Sequence, residues 1–286
     1  MSPLAIALVL TSALAHASWN LLAKNASESR VFPWLCTISA AVVTAPFALA
    51  LATATGIWPS LESLSYPTVS GLIHVGYFAA LARAYRSGDL SLVYPLARGS
   101  GPLLAVVFSV IAIGERPSVV AAIGITGILL GVLCLTGNPK ALLKSNNGAA
   151  VAYAFLTGAI IATYTVWDKV GVSAIGVPPL IYFTVLMGTC GLFRTPWALR
   201  DWKKARIEIS AFWKLSIVAG ALIALAYTLV LTALVTSPVT YVAPMREIGI
   251  LFGAILGHRL LAEGQTAQRL AGSALMMLGV AALAIG

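Results

Sequence analysis

The chain has 286 residues, of which 59% are hydrophobic and only 9% are charged, and its formal net charge is +9. A soluble domain carries about 25% charged residues, and a disordered chain needs low hydrophobicity, so this composition excludes both classes. An integral membrane protein whose basic residues lie at the bilayer boundary accounts for the hydrophobicity and for the charge.

Ten segments are apolar over the roughly 20 residues that a helix needs to cross the bilayer core. In chain order, the predicted spans are 3–23, 32–55, 66–86, 90–113, 118–137, 148–168, 178–198, 213–235, 238–258 and 266–286. The longest polar stretch, around Arg194 to Lys214, is predicted to be a short amphipathic linker. No Lys or Arg precedes Lys24, and the first span is longer than the apolar part of a signal peptide, so it is predicted to be a retained helix.

The distribution of Lys and Arg predicts the orientation in the membrane. The connections after spans 1, 3, 5, 7 and 9 hold Lys24, Arg30, Arg83, Arg86, Lys140, Lys144, Arg194, Arg200, Lys203, Lys204, Arg206, Lys214, Arg259 and Arg269. The opposite connections hold only Arg116 and Lys169. Because cytoplasmic loops are enriched in these residues, we predict a multi-pass protein of the inner (plasma) membrane with both termini on the non-cytoplasmic side.

A constant offset of 148 residues relates the two halves of the sequence. It aligns Trp19 with Trp167, Asn20 with Asp168, Arg98 with Arg246, Gly101 with Gly249, Glu115 with Glu263, Gly124 with Gly272 and Gly131 with Gly279. Shared membrane composition explains the matched glycines, but not the matched Trp, Arg and Glu, which are scarce here. The offset therefore predicts an internal repeat.

Each half contains five predicted spans, an odd number, so the second half must be inverted relative to the first. We predict an all-α integral membrane fold of ten transmembrane helices, arranged as two inverted five-helix repeats. The first repeat is 1–138, a linker follows at 139–148, and the second repeat is 149–286. Inverted repeats are a recurrent plan of secondary transporters, whose substrate site lies near the membrane midplane between the halves.

Three motifs carry a resemblance to a known family. They are residues 81–86 leading into Tyr94, Pro95 and Leu96; the turn 114–117 with Gly124 and Gly131 behind it; and residues 19–24. On these motifs the chain resembles the EamA-type branch of the drug/metabolite transporter superfamily over nearly all of its length. The resemblance implies transport of small organic solutes such as amino acids, other metabolites, drugs or nucleotide sugars, and it is greatest to the YddG-like amino-acid exporters.

The first span is also similar to that of the small multidrug resistance proteins, in which a membrane glutamate couples protons to cation export. In this chain His16 occupies that glutamate position, and Tyr164 is its counterpart in the second half. This departure argues against proton coupling through a carboxylate at that position. It also argues against a dedicated exporter of lipophilic cations.

Arg98 and Arg246 are the most unusual residues, because intramembrane charges are costly and face a cavity or a partner. Each arginine either binds a substrate carboxylate or phosphate, which guanidinium suits, or holds helices together through carbonyls or an acid. Glu247 either receives a substrate ammonium or a proton, or pairs with Arg98. Pro95, Pro102 and Pro244 flank the arginines and are predicted hinges, with plain helix bending as the alternative.

Histidine and aromatic residues complete the predicted site. His16 and His74 lie in mid-span, as substrate donors or titrating groups, or simply as hydrogen-bonded bundle residues. Aromatic side chains suit amphiphilic solutes and ammonium groups, or alternatively form ordinary packing and an interfacial belt. The whole predicted substrate-binding set is Arg98, Arg246, Glu247, His16, Trp19, Asn20, His74, Tyr77, Tyr94, Tyr164, Trp167, Tyr227 and Tyr241.

No Walker A motif, metal-ligand cluster or nucleophile–base pair is visible in the sequence, so we predict no enzyme, catalytic residue, metal, cofactor or nucleic-acid partner. The expected partners are a small-molecule substrate and the lipid bilayer, with the oligomeric state open and a monomer permitted. The predicted function is secondary transport, by alternating access, that exports amino acids or similar small metabolites. The alternative is a carrier for phosphorylated or phosphonate metabolites or for drugs. Free arginines would favour an anion, and neutralised arginines a neutral cargo.

Overall fold

The computed structural model describes residues 1–23, 26, 29–88, 90–136, 148–252 and 267–286, and the regular structure within these ranges is entirely helical. In the first half the helices are α1 (Pro3–Ala23), α2 (Phe32–Thr55), α3 (Leu61–Ser87), α4 (Leu90–Ile113) and α5 (Val119–Thr136). In the second half they are α6 (Gly148–Lys169), α7 (Pro179–Ala198), α8 (Trp202–Thr236), α9 (Val239–Met245) and α10 (Ala267–Ile285). The prediction of an all-α fold is confirmed for these residues.

Among the described residues, five helical segments are long and apolar enough to cross a membrane. They are α1, α2, Leu96–Ile113 within α4, α8, and Gly148–Ala174, which is α6 continued by a π-helical turn at Val170–Ala174. The apolar helices Val119–Cys134 and Ala271–Ile285 are shorter. Large hydrophobic side chains such as Ile111 and Leu278 are exposed, as expected where a helix faces lipid. That all ten predicted segments span the bilayer stays a prediction.

The short amphipathic linker predicted around Arg194 to Lys214 is helical over most of its length, so the predicted start of the following span at 213 was wrong. Helix α7 continues to Ala198 and α8 already begins at Trp202, so only a short turn separates the two helices. The N-cap of α8 is Asp201, whose carboxylate accepts a hydrogen bond from the backbone N–H of Lys204 at 3.3 Å. Such a cap satisfies an N–H group that would otherwise lack a partner at the start of the helix.

Tertiary contacts also support the early start of α8. The Glu208 carboxylate accepts hydrogen bonds from the Ser29 hydroxyl at 2.5 Å and from the backbone N–H of Val31 at 3.1 Å. One turn further, the ring of Phe212 packs edge-to-face on that of Phe32. These contacts join residues far apart in sequence, which is why hydropathy alone did not reveal them.

Several of the helix contacts occur in pairs that are related by exchanging the two halves. Under the 148-residue offset, α1 to α5 correspond to α6 to α10 in order. Helix α1 packs on α8 while its counterpart α6 packs on α3, and α2 packs on α8 while α7 packs on α3. The pairs α2–α7 and α5–α10 join each helix to its own counterpart. The packing is thus the one expected of two structurally equivalent halves.

The α5–α10 crossing is built from glycines that the repeat had aligned. A Cβ atom added at Gly124 would lie 2.7 Å from the carbonyl oxygen of Gly279, and one at Gly279 would lie 2.6 Å from that of Gly124. At the other end, a Cβ on Gly131 would lie 2.7 Å from the carbonyl oxygen of Gly272. Small residues at membrane-helix crossings let two backbones approach closely, so these glycines fix the crossing.

We expect Gly279→Ala to destabilise the protein by about 1–3 kcal/mol, because the added methyl group must push two helix backbones apart. The matched control is Gly188→Ala, also within a helix, where an added Cβ meets no atom within 4 Å. The midpoint of thermal unfolding in detergent, followed by tryptophan fluorescence, measures both variants. Equal midpoints would show that the crossing tolerates a side chain and would contradict this interpretation.

The span predicted at 238–258 is interrupted at its middle. Helix α9 ends at Met245, Arg246 and Glu247 form a turn, and helical backbone resumes at 248–252. Within the turn the hydrogen bonds connect residues three apart, since Glu247 N–H donates to the Pro244 carbonyl at 3.0 Å and Gly249 N–H to the Arg246 carbonyl at 3.1 Å. The turn lies two residues after Pro244, which is inside α9 and supplies no N–H to the helical ladder.

Glu115 holds the start of α9 from the other half of the chain. Its two carboxylate oxygens accept hydrogen bonds from the backbone N–H groups of Val239 at 2.7 Å and Thr240 at 2.8 Å. Its repeat counterpart, Glu263, lies outside the described residues. A carboxylate at a helix N-terminus satisfies free N–H groups and opposes the positive end of the helix dipole.

We expect Glu115→Ala to lower the free energy of unfolding by about 1–2 kcal/mol, as for the loss of a helix cap. Glu62→Ala, which removes an exposed carboxylate from the first turn of α3, is the control; it loses only a solvent-screened interaction with the helix dipole, so its effect should be smaller. Thermal unfolding of the two purified variants makes the comparison. A Glu115 variant as stable as the Glu62 variant would rule out a capping role.

Candidate functional site

A cavity of about 150 Å³ lies between helices of both halves. Its lining comes from α1, α3, α4, α6 and α8, from Met187 of α7, and from the region where α9 breaks. Ten predicted residues lie in this lining, namely His16, Trp19, His74, Tyr77, Arg98, Pro102, Tyr164, Tyr227, Arg246 and Glu247. The structure therefore brings both intramembrane arginines, the acid beside one of them and both mid-span histidines to one place.

Arg98 and Glu247, which both line the cavity, form an ion pair. The guanidinium nitrogen Nη2 of Arg98 lies 3.3 Å from Oε2 of Glu247, with side-chain exposures of 23% and 8%. Of the alternatives left open by the sequence, Glu247 thus has the arginine of the other half as its partner. The pair joins α4 to the break after α9, and its two charges cancel inside the cavity.

Arg246 gives the cavity a net positive charge. Its side chain is half-buried, and its guanidinium carbon lies 5.5 Å from the centre of the Tyr227 ring. Among the described residues no carboxylate lies within 4.0 Å of this guanidinium. Because the other arginine is paired, the net positive charge of the cavity comes from Arg246.

Aromatic rings form one wall of the cavity. His74 stacks on Tyr164 with ring centres 4.1 Å apart, and the Tyr77 ring meets Tyr164 edge-on at 6.1 Å. The ring of Tyr227 lies 5.8 Å from that of His74. These four rings come from α3, α6 and α8, so packing of three helices holds the wall together. Such a surface suits apolar groups and cations.

Hydrogen bonds orient the two histidines differently. Nδ1 of His16 accepts from the indole N–H of Trp19 at 3.1 Å, a contact within one turn of α1. Nδ1 of His74 lies 2.8 Å from the Ser70 carbonyl oxygen. Since a carbonyl only accepts, Nδ1 of His74 carries the hydrogen and donates it.

A buried carboxylate lies directly behind the aromatic wall. Asp168 is fully buried near the end of α6, and its oxygens accept hydrogen bonds from three hydroxyl groups. The donors are Ser70 at 2.5 Å, Tyr182 at 2.8 Å and Tyr227 at 2.6 Å. The sequence placed Asp168 at a span end and assigned it no role. Its alignment with Asn20 was the available signal for a polar position.

Several predicted site residues lie away from the cavity. Asn20 is exposed and donates to the His16 carbonyl, and Trp167 stacks on Tyr66 and donates to its carbonyl at 2.9 Å. The hydroxyl of Tyr241 lies 3.4 Å from the carbonyl oxygen of Gly286. The side chains of Tyr94 and Pro95 lie outside the described part of the structure.

Other lining residues had no signal of their own in the sequence. Ser12 and Phe78 lie four residues from His16 and His74, so they share helix faces with them. Ser12 donates to the Ala226 carbonyl at 2.7 Å, and the guanidinium of Arg194 lies 3.9 Å from the centre of the Phe78 ring. Helical spacing from the two histidines would have found both positions.

The model of the EamA-like transporter family matches this chain twice, over residues 3–137 and 148–285. The chain belongs to the EamA-like transporter family. It is therefore a multi-pass membrane transporter of small solutes, with the bilayer as its environment, and its family consists of transporters rather than enzymes. The two matched ranges also bear out the repeat that the 148-residue offset had predicted.

Comparison with individual proteins supports the fold and nothing further. No curated protein matches the chain. One solved structure, described as a crystal structure of a protein, covers 98% of this EamA-like chain and 96% of its own with a TM-score of 0.72. The two sequences are 17% identical. At this identity the likeness shows a shared fold and says nothing of the substrate.

Proposed function

We propose that this EamA-like protein is a secondary transporter that exports amino acids or similar small zwitterionic metabolites. The observation that carries the proposal is Arg246, a cation inside an aromatic-walled cavity with no carboxylate partner among the described residues. An intramembrane charge is costly unless it is paired or hydrated, so a substrate carboxylate is a favourable partner. Guanidinium binds a carboxylate through two parallel hydrogen bonds.

The opposite end of an amino acid also finds suitable groups. The aromatic wall that contains Tyr77, Tyr164 and Tyr227 is of the kind that binds an ammonium group through cation–π contact. The Glu247 carboxylate lines the same cavity, where it faces Arg98. A zwitterion would thus bring one negative and one positive group into a cavity that offers partners for both. Aliphatic and aromatic lining leaves room for an apolar side chain.

We propose alternating access between two inverted repeats, 1–138 and 149–286, joined by the linker 139–148. The exchange symmetry of the helix packing supports this organisation, and so does the position of the cavity between the halves. The break at Arg246 and Glu247, just after Pro244, supplies a hinge beside the site. By the distribution of Lys and Arg, the protein lies in the inner membrane with both termini on the non-cytoplasmic side.

A second candidate function rests on the same arginine. A guanidinium binds phosphate as well as carboxylate, so a phosphorylated or phosphonate metabolite also satisfies the charge of Arg246. The aromatic wall equally suits drug-like aromatic compounds. These substrates differ from amino acids in lacking the combination of one carboxylate and one ammonium group.

Counterflow in proteoliposomes tests the proposed function. Protein reconstituted into liposomes loaded with unlabelled amino acid is given a panel of labelled amino acids, with and without a pH gradient. We expect uptake of several amino acids that unlabelled ones compete, and a response to the pH gradient would add proton coupling. Folded protein that takes up no amino acid, but does take up phosphorylated metabolites or drugs, would replace the first candidate with the second.

A further inference from the structure

The buried Asp168 carboxylate fixes the direction of the hydrogen bonds around it. Three hydroxyl groups point their oxygen atoms at it, and an ionised carboxylate has no hydrogen to donate in return. No Lys or Arg of the described residues lies within 4.0 Å of Asp168. The hydroxyl groups of Ser70, Tyr182 and Tyr227 are therefore its hydrogen-bond partners, and each gives its hydrogen to Asp168.

This arrangement determines what Tyr227 offers to the cavity. A tyrosine hydroxyl has one hydrogen, and that of Tyr227 is committed to Oδ2 of Asp168 at 2.6 Å. What remains on its oxygen is lone-pair density, so a ligand group that reaches this oxygen from the cavity meets a hydrogen-bond acceptor. Because Asp168 does not line the cavity, it acts only through this neighbour.

His74 lies beside Tyr227 and also presents a hydrogen-bond acceptor. Its Nδ1 hydrogen is donated to the Ser70 carbonyl, so in the neutral ring Nε2 is the nitrogen left for a ligand, and it accepts. His16 is the opposite case, because Nδ1 accepts from Trp19 and the neutral ring must carry its hydrogen on Nε2. The described lining thus includes acceptors on Tyr227 and His74 and donors on His16 and Arg246.

We propose that Asp168 is a positioning residue that makes the Tyr227 hydroxyl an acceptor, and that Tyr227 and His74 together bind the substrate's ammonium group. Arg246 and His16 then receive the carboxylate, which sets one orientation of the zwitterion. This inference rests on the proposed function and deepens it, since it assigns the two ends of the substrate to two sides of the cavity. A substrate that lacks the ammonium group leaves the acceptors on Tyr227 and His74 without a donor, which is costly in a desolvated site.

The test compares L-phenylalanine with 3-phenylpropionate, which has the same skeleton without the ammonium group. Dissociation constants of both compounds are measured by calorimetry on purified protein. In the wild type we expect phenylalanine to bind at least tenfold more tightly, the usual scale for a charged hydrogen bond. Asp168→Asn and Tyr227→Phe should each reduce this preference about tenfold. The double variant should match Tyr227→Phe alone, because Asp168 acts through Tyr227.

Tyr182→Phe is the matched control, since it removes another hydroxyl donor of Asp168 that does not line the cavity. It should leave the phenylalanine preference unchanged, whatever it does to stability. An unchanged preference in Asp168→Asn, or effects of the two single variants that add in the double variant, would overturn the proposal. If the folded wild type does not bind phenylalanine and exchanges no amino acid of the panel, it is the proposed function that fails.

A measurement without ligand tests the geometric step by itself. Tyrosine vibrations in ultraviolet resonance Raman spectra distinguish a hydroxyl that donates a strong hydrogen bond from one that accepts. The wild-type spectrum minus that of Tyr227→Phe isolates Tyr227 among the tyrosines. We expect the donor signature; the acceptor signature would overturn the role of Asp168 even if that residue's own variants failed to fold.

Discussion

Arg246→Gln is expected to reduce amino-acid counterflow by about a hundredfold or more while the protein remains folded. The substitution removes the cavity guanidinium that has no carboxylate partner among the described residues, and it keeps a polar side chain of similar length. A substrate carboxylate would then enter a largely apolar site without a cation, and the lost charged hydrogen bonds are together worth about 3 kcal/mol. Initial rates of labelled phenylalanine uptake in proteoliposomes measure the effect.

Arg206→Gln is the matched control for this experiment. It makes the same chemical change at an exposed position near the start of α8, remote from the cavity lining. Uptake by this variant should equal that of the wild type. Near-normal uptake by Arg246→Gln, at equal amounts of folded protein, would show that the positive charge of the cavity is not what receives the substrate.

The sequence was sufficient for the fold class and for the symmetry of the molecule. Hydropathy placed α1 and α2 at the bounds that the structure has, because apolar composition over some 20 residues is a local property. The 148-residue offset singled out Arg98 and Arg246, since a charge stands out in an apolar segment. The glycines at 124, 131, 272 and 279 were matched in the same way, and the structure shows why the crossing needs them.

The site could be predicted only in part, because its contacts join distant parts of the chain. The sequence could not choose among the alternatives for Glu247, whose partner Arg98 lies in a different half of the chain. Asp168 looked like an end-of-helix residue because hydropathy does not reveal which helix packs over it. Its three hydroxyl donors come from α3, α7 and α8, and only their convergence makes it important.

The break after α9 is another feature that hydropathy could not reveal. Residues 238–258 are apolar apart from the charged pair, Thr240 and His258, so a continuous helix was the natural prediction. The structure instead turns at Arg246 and Glu247, two residues after Pro244. In the first half α4 runs without interruption past Arg98. The two halves thus differ where they meet the cavity, which gives an otherwise symmetric molecule two different sides for an asymmetric substrate.

The second prediction concerns the ion pair between Arg98 and Glu247. Arg98→Ala and Glu247→Gln should each abolish counterflow and lower the free energy of unfolding by about 3–5 kcal/mol, as expected when one member of a buried pair loses its partner. Replacing both residues by methionine should restore much of the stability, because a buried pair exchanged for apolar side chains leaves no uncompensated charge. Thermal unfolding and counterflow are measured on the same preparations.

The variant with methionine at both positions separates the pair's contribution to stability from its contribution to transport. If the pair only holds α4 against the break after α9, the stable methionine variant should transport as well as the wild type. We expect instead that transport stays lost, because alternating access requires a contact that can open and reform as the halves move, and because Glu247 lines the substrate cavity. A methionine variant that is both stable and fully active would reduce the pair to a structural contact and leave Arg246 as the cavity's one functional charge among the described residues.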